Sequence, residues 1–463
     1  MCTLVENSRA HGTITGNWDK SSIMLVFAVA LLPVSEIIRA CMPGQSVLIS
    51  ALPFLYLTFI WIAYLKAHIP VCLLRSLIPI VILCVAGTVK ALLNSIPVIS
   101  IVMSLTSELV WFTPAFVFYY CARIQSVRHA VPLVFSILVL LSLSFTLYNV
   151  CSGNELWNIP LIQGAAVGRS YGDEMVSYYS GTFRTAPSYC SFIVFSSVPI
   201  FIAWCSVDKH QYSRTAKAIL FIAMASLLPQ AILAGRRSQI CMLGGAICGL
   251  FTALPIAVRR AVGICVAIFL FLILSFFSSA LVREGRMAHV TSYLWRDFKD
   301  RATVNVITHR DVEVMTLFGH GMGSAGYAAL NSPNAGYRAK ADDIRTEYPA
   351  MHYGWFQCIY AYGWVGIIMK LICFGNIFFL LVRQSALHSK AAKIGLFLLI
   401  LCMYVYFFIQ TSFLESITGG VLFGIAIGYS LSISNMEAIS NVGSTRTHTL
   451  HQSFARPSYY LKD

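Results

Sequence analysis

Charged residues are scarce in this chain. Only 11% of its 463 residues are Asp, Glu, Lys or Arg, whereas 57% are hydrophobic, and the mean hydropathy is +0.73. A soluble protein carries about 25% charged residues. The apolar residues gather in runs of roughly 17 to 25, the length needed to cross about 30 Å of hydrocarbon. The composition excludes a soluble globular domain and predicts an all-α polytopic membrane protein.

Two further features are missing. Residues 1–21 are polar and lack the short apolar core and small-residue cleavage site of a signal peptide, so we expect an uncleaved first span with a cytoplasmic N-terminus. The long polar loops have almost no cysteine, because most of the 14 cysteines lie in or beside apolar runs. This distribution argues against a disulfide framework and makes the cysteines small core residues.

No metal signature is visible in the predicted outer loops. Their acidic residues show no Asp-x-Asp motif and no spacing of a carboxylate pair; they are Asp173, Glu174, Glu284, Asp342, Asp343 and Glu347. We therefore expect no metal and no cofactor.

The apolar runs predict about twelve spans in one bundle over residues 22–434. Residues 90–121 contain Pro97 and Pro114, and fit either one tilted span or a re-entrant piece plus a span. Gly363, Gly366 and Gly375 could bend the long span 354–382. The predicted spans are 22–40, 47–65, 70–89, 98–121, 130–150, 187–206, 216–234, 239–257, 261–281, 354–382, 394–411 and 416–434.

The distribution of Lys and Arg predicts the orientation. Positive residues in short loops mark the cytoplasmic side of a membrane protein. The net charge of +14 is spread over such loops, so we interpret it as a determinant of topology rather than of nucleic-acid binding. The opposite side receives the polar loops 151–187 and 282–353, the latter between spans nine and ten. The cytoplasmic side also receives the tail 435–463, which we expect to be disordered.

Arg236 and Arg237 lie on the outer face, against the positive-inside rule. They are either a pair snorkelling to the interface or an anion clamp. Guanidinium groups bind phosphate oxygens bidentately, and a tight turn that opens a helix adds backbone N–H donors.

The large outer loop and its end hold the other candidates. Arg301 and Arg310 are either solvated surface residues or anion ligands. His352 is either an interface residue or a neutral imidazole that accepts a proton from a sugar hydroxyl. His320 lies between Gly319 and Gly321, where a role in a turn competes with substrate binding.

These motifs together resemble the O-antigen ligase and Wzy-type O-antigen polymerase superfamily of bacterial inner-membrane glycosyltransferases. The similar segments are Gly181–Ser188, Gly235–Ser238, Arg301 with Gly319–Gly323, and His352 with Gln357–Gly366. Tyr353 replaces the Asn usual after the histidine, and Gly235 replaces the Ser usual before the arginine.

The resemblance implies a glycosyltransferase C-like fold and metal-independent, inverting glycosyl transfer on the periplasmic face. The donor would be a glycan on undecaprenyl pyrophosphate, and the acceptor a glycan or lipid A core. Arg236 and Arg301 would neutralise the departing pyrophosphate, with Arg237 and Arg184 as helpers. His352 would activate or orient the acceptor hydroxyl.

Three functions stay open at this stage. A polymerase, which we favour, joins lipid-linked repeat units, and can work with a chain-length regulator. A ligase transfers the finished glycan to lipid A core to give lipopolysaccharide. A flippase for the same lipid-linked units usually shows two matching halves and polar or broken helices at mid-membrane, and the sequence shows neither clearly.

Overall fold

The computed structural model describes residues 20–41, 46–152, 169–171, 174–176, 183, 186–205, 211–233, 315–330, 332–348, 354–384 and 417–433. Helices make up most of them. Four helical stretches are long and apolar enough to cross a membrane: Val71–Leu93, Val98–Cys121, Gln125–Tyr148 and Trp355–Leu381. The structure therefore agrees with the prediction of a helical membrane protein.

Ten of the described helices overlap nine of the predicted apolar spans, and the other two, Gly326–Leu330 and Ala335–Glu347, lie in the predicted loop 282–353. In chain order the helices are α1 (Lys20–Cys41), α2 (Ser46–Ala63), α3 (Val71–Leu93), α4 (Val98–Leu109), α5 (Phe112–Cys121), α6 (Gln125–Ser152), α7 (Ala186–Cys205), α8 (Arg214–Leu233), α9 (Gly326–Leu330), α10 (Ala335–Glu347), α11 (Gly354–Gln384) and α12 (Ile417–Ile433). The predicted spans 239–257, 261–281 and 394–411 lie outside the described residues, as do residues 1–19 and the tail 435–463.

Two predicted loops contain regular structure. In the loop 151–187, strands β1 (Arg169–Tyr171) and β2 (Glu174–Val176) form an antiparallel ribbon in which Ser170 pairs with Met175. In the loop 282–353, the short helices α9 and α10 precede α11.

Residues 98–121 form one helical path with a local irregularity. Helices α4 and α5 are separated only by Val110 and Trp111, and both residues keep right-handed helical dihedral angles. This path is apolar and 24 residues long, which is enough to cross a membrane. Of the two predicted alternatives, the structure supports a single span.

Prolines inside the helices create contacts between helices. Pro132 has no N–H, so it leaves the Arg128 carbonyl without its usual partner four residues ahead. The Tyr429 hydroxyl of α12 donates to this carbonyl over 2.8 Å. Pro79 frees the Arg75 carbonyl in the same way.

The Arg75 carbonyl accepts a hydrogen bond from the Asn376 side-chain amide over 3.4 Å. A carbonyl freed by proline inside an apolar bundle needs a donor from a neighbouring helix. Each of these two prolines thus ties its own helix to another one.

The helix contacts define two ends of the bundle. At the Ser126 end, Ser22 donates to Ser126 over 2.8 Å and Gln125 donates to Gln211 over 2.7 Å, so α1, α6 and α8 all begin there. Helix α2 runs antiparallel to α1, as the contact between the Phe27 and the Tyr56 rings shows.

A short turn leads from α2 into α3, so α3 also begins at the Ser126 end and finishes at the opposite end, beside Asn94. We call this opposite end the Asn94 end. Helix α11 begins at the Asn94 end, because its Asn376 lies beside Arg75, near the start of α3.

Candidate functional site

One of the seven predicted site residues, His320, lies among the described residues. The other six are outside them: Arg184, Arg236, Arg237, Arg301, Arg310 and His352. Among the described residues, the site is represented by His320 and by the helices next to Arg184, Arg236, Arg237 and His352.

Helix α11 is broken at Gly363, which has φ 72° and ψ −170°. Gly363 was one of the three glycines predicted to bend this helix. In a continuous helix, the Trp364 amide would donate to the Tyr360 carbonyl and the Val365 amide to the Ala361 carbonyl. The break separates these pairs and leaves two donors and two acceptors that must be satisfied inside the bundle.

Residues 316–321, which we call the insert, satisfy all four groups. The amides of His320 and Gly321 each donate over 2.8 Å to the two freed carbonyls. The carbonyls of Thr316 and Leu317 each accept over 3.2 Å from the two freed amides. The polar loop is therefore joined to α11 by backbone hydrogen bonds that replace two of the hydrogen bonds of a continuous helix.

Glycines allow the insert and the residues after it to approach the helices closely. Gly319, Gly321 and Gly323 have φ of 63°, 109° and 80°, which disfavour residues with a side chain. A Cβ on Gly321 would lie 2.5 Å from the Ala91 amide nitrogen, and one on Gly323 would lie 2.7 Å from the Ser100 carbonyl oxygen. The Gly-x-Gly-x-Gly pattern is thus required for backbone packing on α3 and α4.

Four consecutive backbone amides of this segment, those of residues 319–322, are bonded within the protein. The Gly319 amide donates to the Thr316 hydroxyl over 2.9 Å, and the Met322 amide donates to the Gly87 carbonyl over 2.9 Å. The amides of His320 and Gly321 are bonded to α11, as described above. The glycine-rich segment is therefore a packing element, unlike the glycine-rich loops that hold phosphate with free amides.

The His320 imidazole is half-buried at the Asn94 end. Its ring centroid lies 4.3 Å from that of Tyr360, and its Nε2 atom is buried without a hydrogen-bond partner among the described residues. Burial, and then the nearby Lys90 ammonium, lower the pKa of His320 below its usual 6.5. The imidazole is therefore neutral near pH 7, with a ring nitrogen able to accept a proton.

Two polar side chains support this region. The Asn94 side-chain amide donates to the His320 carbonyl oxygen over 2.5 Å, and the Tyr337 hydroxyl donates to the Gly323 carbonyl oxygen over 3.0 Å. Burial raises the pKa of Tyr337 to about 12, so this phenol remains protonated and stays a donor. These bonds connect α3 and α10 to the glycine-rich segment.

A polar stripe on α4 continues from this region into the bundle. Ser104 shares a hydrogen bond with the Tyr362 hydroxyl over 3.3 Å, and Glu108, one turn later, forms an ion pair with Lys370 over 2.6 Å. Glu108 and Lys370 lie in the predicted spans 98–121 and 354–382, and their pairing was not predicted. Two lone opposite charges in separate apolar spans were the available signal, because such charges usually pair.

A buried network brings together the helices beside the other candidates. The Tyr189 hydroxyl of α7 donates to the Gln230 side-chain oxygen of α8 over 2.6 Å, and it lies 3.0 Å from the Thr146 hydroxyl of α6. Arg184 precedes Tyr189 by five residues, and Arg236 follows Gln230 by six.

Thr146 lies near the end of α6, which begins at the Ser126 end, so the network lies toward the Asn94 end of the bundle. The positions flanking two of the predicted arginines are thus directed toward the same end as His320.

Comparisons with known proteins add no family to this description. Neither a scan against protein-family models nor a search of curated proteins found a match. Among the described residues, no group of three or more His, Cys, Asp or Glu side chains could hold a metal ion.

Proposed function

We propose that this chain is a membrane glycosyltransferase that joins glycan repeat units carried on undecaprenyl pyrophosphate, as a Wzy-type polymerase does. It would act at the periplasmic face of a bacterial inner membrane, with the Asn94 end facing the periplasm. The observation that supports this proposal is that elements beside several of the candidate residues lie toward the same end of the bundle. Segments similar to the polymerase and ligase superfamily lie far apart in the chain, yet their flanking elements are directed to one end of the bundle.

The proposed reaction needs a nucleophile and a stabilised leaving group. A hydroxyl oxygen of the acceptor glycan attacks the anomeric carbon of the donor, and the bond from that carbon to the pyrophosphate oxygen breaks. His352 takes the hydroxyl proton, and the pyrophosphate leaves with the bonding electron pair. Arg236 and Arg301 neutralise its charge, which arginines can do without a metal.

Arginine replacements test this proposal. Arg236→Ala and Arg301→Ala are expected to abolish polymer formation when each variant complements a deletion strain at normal expression and membrane insertion. Arg338→Ala is the matched control, because Arg338 is an exposed arginine of α10 in the same predicted loop. Wild-type polymer in both variants would remove these arginines from the site.

His352 is tested by separating catalysis from binding. His352→Ala is expected to lower the transfer rate far more than it lowers donor binding, because the imidazole acts on the acceptor hydroxyl. A variant that only weakens donor binding contradicts this role.

The deletion strain also distinguishes polymerase from ligase. A missing polymerase leaves lipopolysaccharide with a single repeat unit. A missing ligase instead leaves free lipid-linked polymer and bare core, and this result would favour the alternative O-antigen ligase.

Two structural observations favour a second candidate, a flippase for the same lipid-linked units. Helix α11 is broken at Gly363, and the Glu108–Lys370 ion pair lies inside the bundle. Broken helices and buried charges are typical of transporters. A flippase would move labelled lipid-linked units across proteoliposome membranes without forming glycosidic bonds.

A further inference from the structure

The insert contacts α11 through its backbone, and its apolar side chains remain outside the packed core. Leu317 and Phe318 are 57% and 64% exposed, although both lie beside the break in α11. The insert is followed by Met322, which is fully buried and whose amide is bonded to the Gly87 carbonyl. Met322 is thus bonded to α3, and both ends of the insert are held by α11: Thr316 and Leu317 through their carbonyls, and His320 and Gly321 through their amides.

The four groups of α11 that now bond to the insert could instead bond to one another. If the insert withdraws, Trp364 can donate to Tyr360 and Val365 can donate to Ala361, as in any α-helix. Gly363 must then return to helical dihedral angles, which glycine adopts with little penalty. This change reorients the half of α11 after Gly363 relative to the half before it, so either the Tyr362–Ser104 contact or the Glu108–Lys370 pair must shift. No group of α11 at the break is left without a partner in either arrangement.

We propose that residues 316–321 are a releasable insert and that α11 has two forms. In the broken form the insert is bonded in the gap at Gly363. In the continuous form the Trp364 and Val365 amides of α11 bond to the Tyr360 and Ala361 carbonyls. Residues 316–321 then move away from α11, while Met322 stays bonded to α3. The shape of α11 is thereby coupled to the position of the polar loop, whatever reaction or transport step the protein performs.

Amide hydrogen exchange of the wild-type protein in lipid nanodiscs tests the two forms. The amides of His320 and Gly321 lose their partners in the continuous form, whereas those of Trp364 and Val365 are bonded in both forms. We expect the first pair to exchange at least roughly tenfold faster than the second pair, as local opening requires. Equal exchange rates for all four amides would overturn the proposal.

A glycine replacement shifts the balance between the forms. Ala at position 363 is strained in the broken form, where its Cβ would press against the Leu317 carbonyl oxygen, but it favours the continuous helix. Gly363→Ala should therefore speed exchange at His320 and Gly321 further, while Trp364 and Val365 keep their protection.

The matched control is Gly375→Ala, because Gly375 lies in the same helix with no atom within 4 Å of an added Cβ. It should leave all four exchange rates unchanged.

A second variant acts from the insert side and leaves Gly363 intact. Gly319 has φ 63°, and an added Cβ would lie 2.5 Å from the Ala361 carbonyl carbon. Gly319→Ala should produce the same pattern as Gly363→Ala. Loss of protection at all four amides in both variants would show that the insert and α11 form one rigid unit, which would reject the two-form proposal.

Discussion

The Lys370 ammonium lies 2.6 Å from the Glu108 carboxylate, and both side chains are nearly buried, with 12% and 14% of their surfaces exposed. The Lys370 nitrogen also lies 5.5 Å from the centre of the Tyr362 ring. Because the Tyr362 hydroxyl also shares a hydrogen bond with Ser104, α11 is held to α4 both at the residue before its break and two turns beyond it.

Removing one member of this pair should be more damaging than removing both. Lys370→Ala leaves the Glu108 carboxylate buried and uncompensated, at a cost of about 3 to 5 kcal/mol. The double variant Glu108→Leu, Lys370→Met should recover most of that stability. Thermal unfolding in detergent measures the difference, with the exposed Lys340→Ala as the control. A double variant no more stable than Lys370→Ala would contradict this account.

The Tyr189 hydroxyl should contribute measurably to stability. Tyr189→Phe leaves the Gln230 side-chain oxygen without its buried donor, which costs about 1 to 3 kcal/mol. Tyr148→Phe removes the same atom from an exposed tyrosine of α6 and should change the unfolding free energy little. Similar losses in both variants would mean that the network adds no specific stability.

Gly321 should not tolerate a side chain. Gly321→Ala would place a Cβ 2.5 Å from the Ala91 amide nitrogen and strain a residue with φ 109°. The loop should detach from α3, and cleavage by trypsin at Arg338 and Lys340 should become faster.

The control is Gly336→Ala. Its added Cβ meets only the Asn334 side-chain oxygen at 3.6 Å, so it should leave proteolysis unchanged or slower. Equal proteolysis of the two variants would show that the close contact with α3 is not needed to hold the loop.

His320 should make stability depend on pH. Its pKa is lowered in the folded protein, so the unfolded chain, with a pKa near 6.5, binds the proton first as the pH falls. Stability should be constant above about pH 7.5 and should decrease below about pH 6.5. His320→Gln should show a smaller decrease in unfolding temperature between about pH 7.5 and pH 5. An equal decrease in both proteins would remove His320 as the source.

Chelation should leave the proposed glycosyl transfer intact. Because the arginines are proposed to neutralise the pyrophosphate, EDTA should not reduce the rate of polymer formation in membrane vesicles. Loss of activity that magnesium or manganese restores would reject the metal-free reaction.

Hydropathy predicted the positions of the apolar helices, four of which are long enough to cross a membrane, but not α9 and α10, which are too short and too polar to stand out in a hydropathy profile. Residues 90–121 were ambiguous, since a proline does not by itself distinguish an irregular span from a re-entrant piece. The angles at Val110 and Trp111 supply that distinction. The Gly-His-Gly motif was recognised, but its pairing with Gly363 was not, because backbone bonding between segments 40 residues apart leaves no spacing pattern.

The candidate site was predicted only in part, for a similar reason. His320 stood out because it lies between two glycines, whereas Asn94, Lys90 and Tyr360 carry no motif and become its neighbours only through the packing of α3 and α11. The roles of Arg236, Arg301 and His352 stay predictions.

The bond between Thr418 and Glu36 has a consequence for biogenesis. The Thr418 hydroxyl donates to the buried Glu36 carboxylate over 2.9 Å, yet the ribosome adds Thr418 382 residues after Glu36. The nascent chain must therefore carry an acid in its first helix through most of translation before this donor arrives. This hydrogen bond between α1 and α12 can therefore form only after nearly the whole chain has been synthesised.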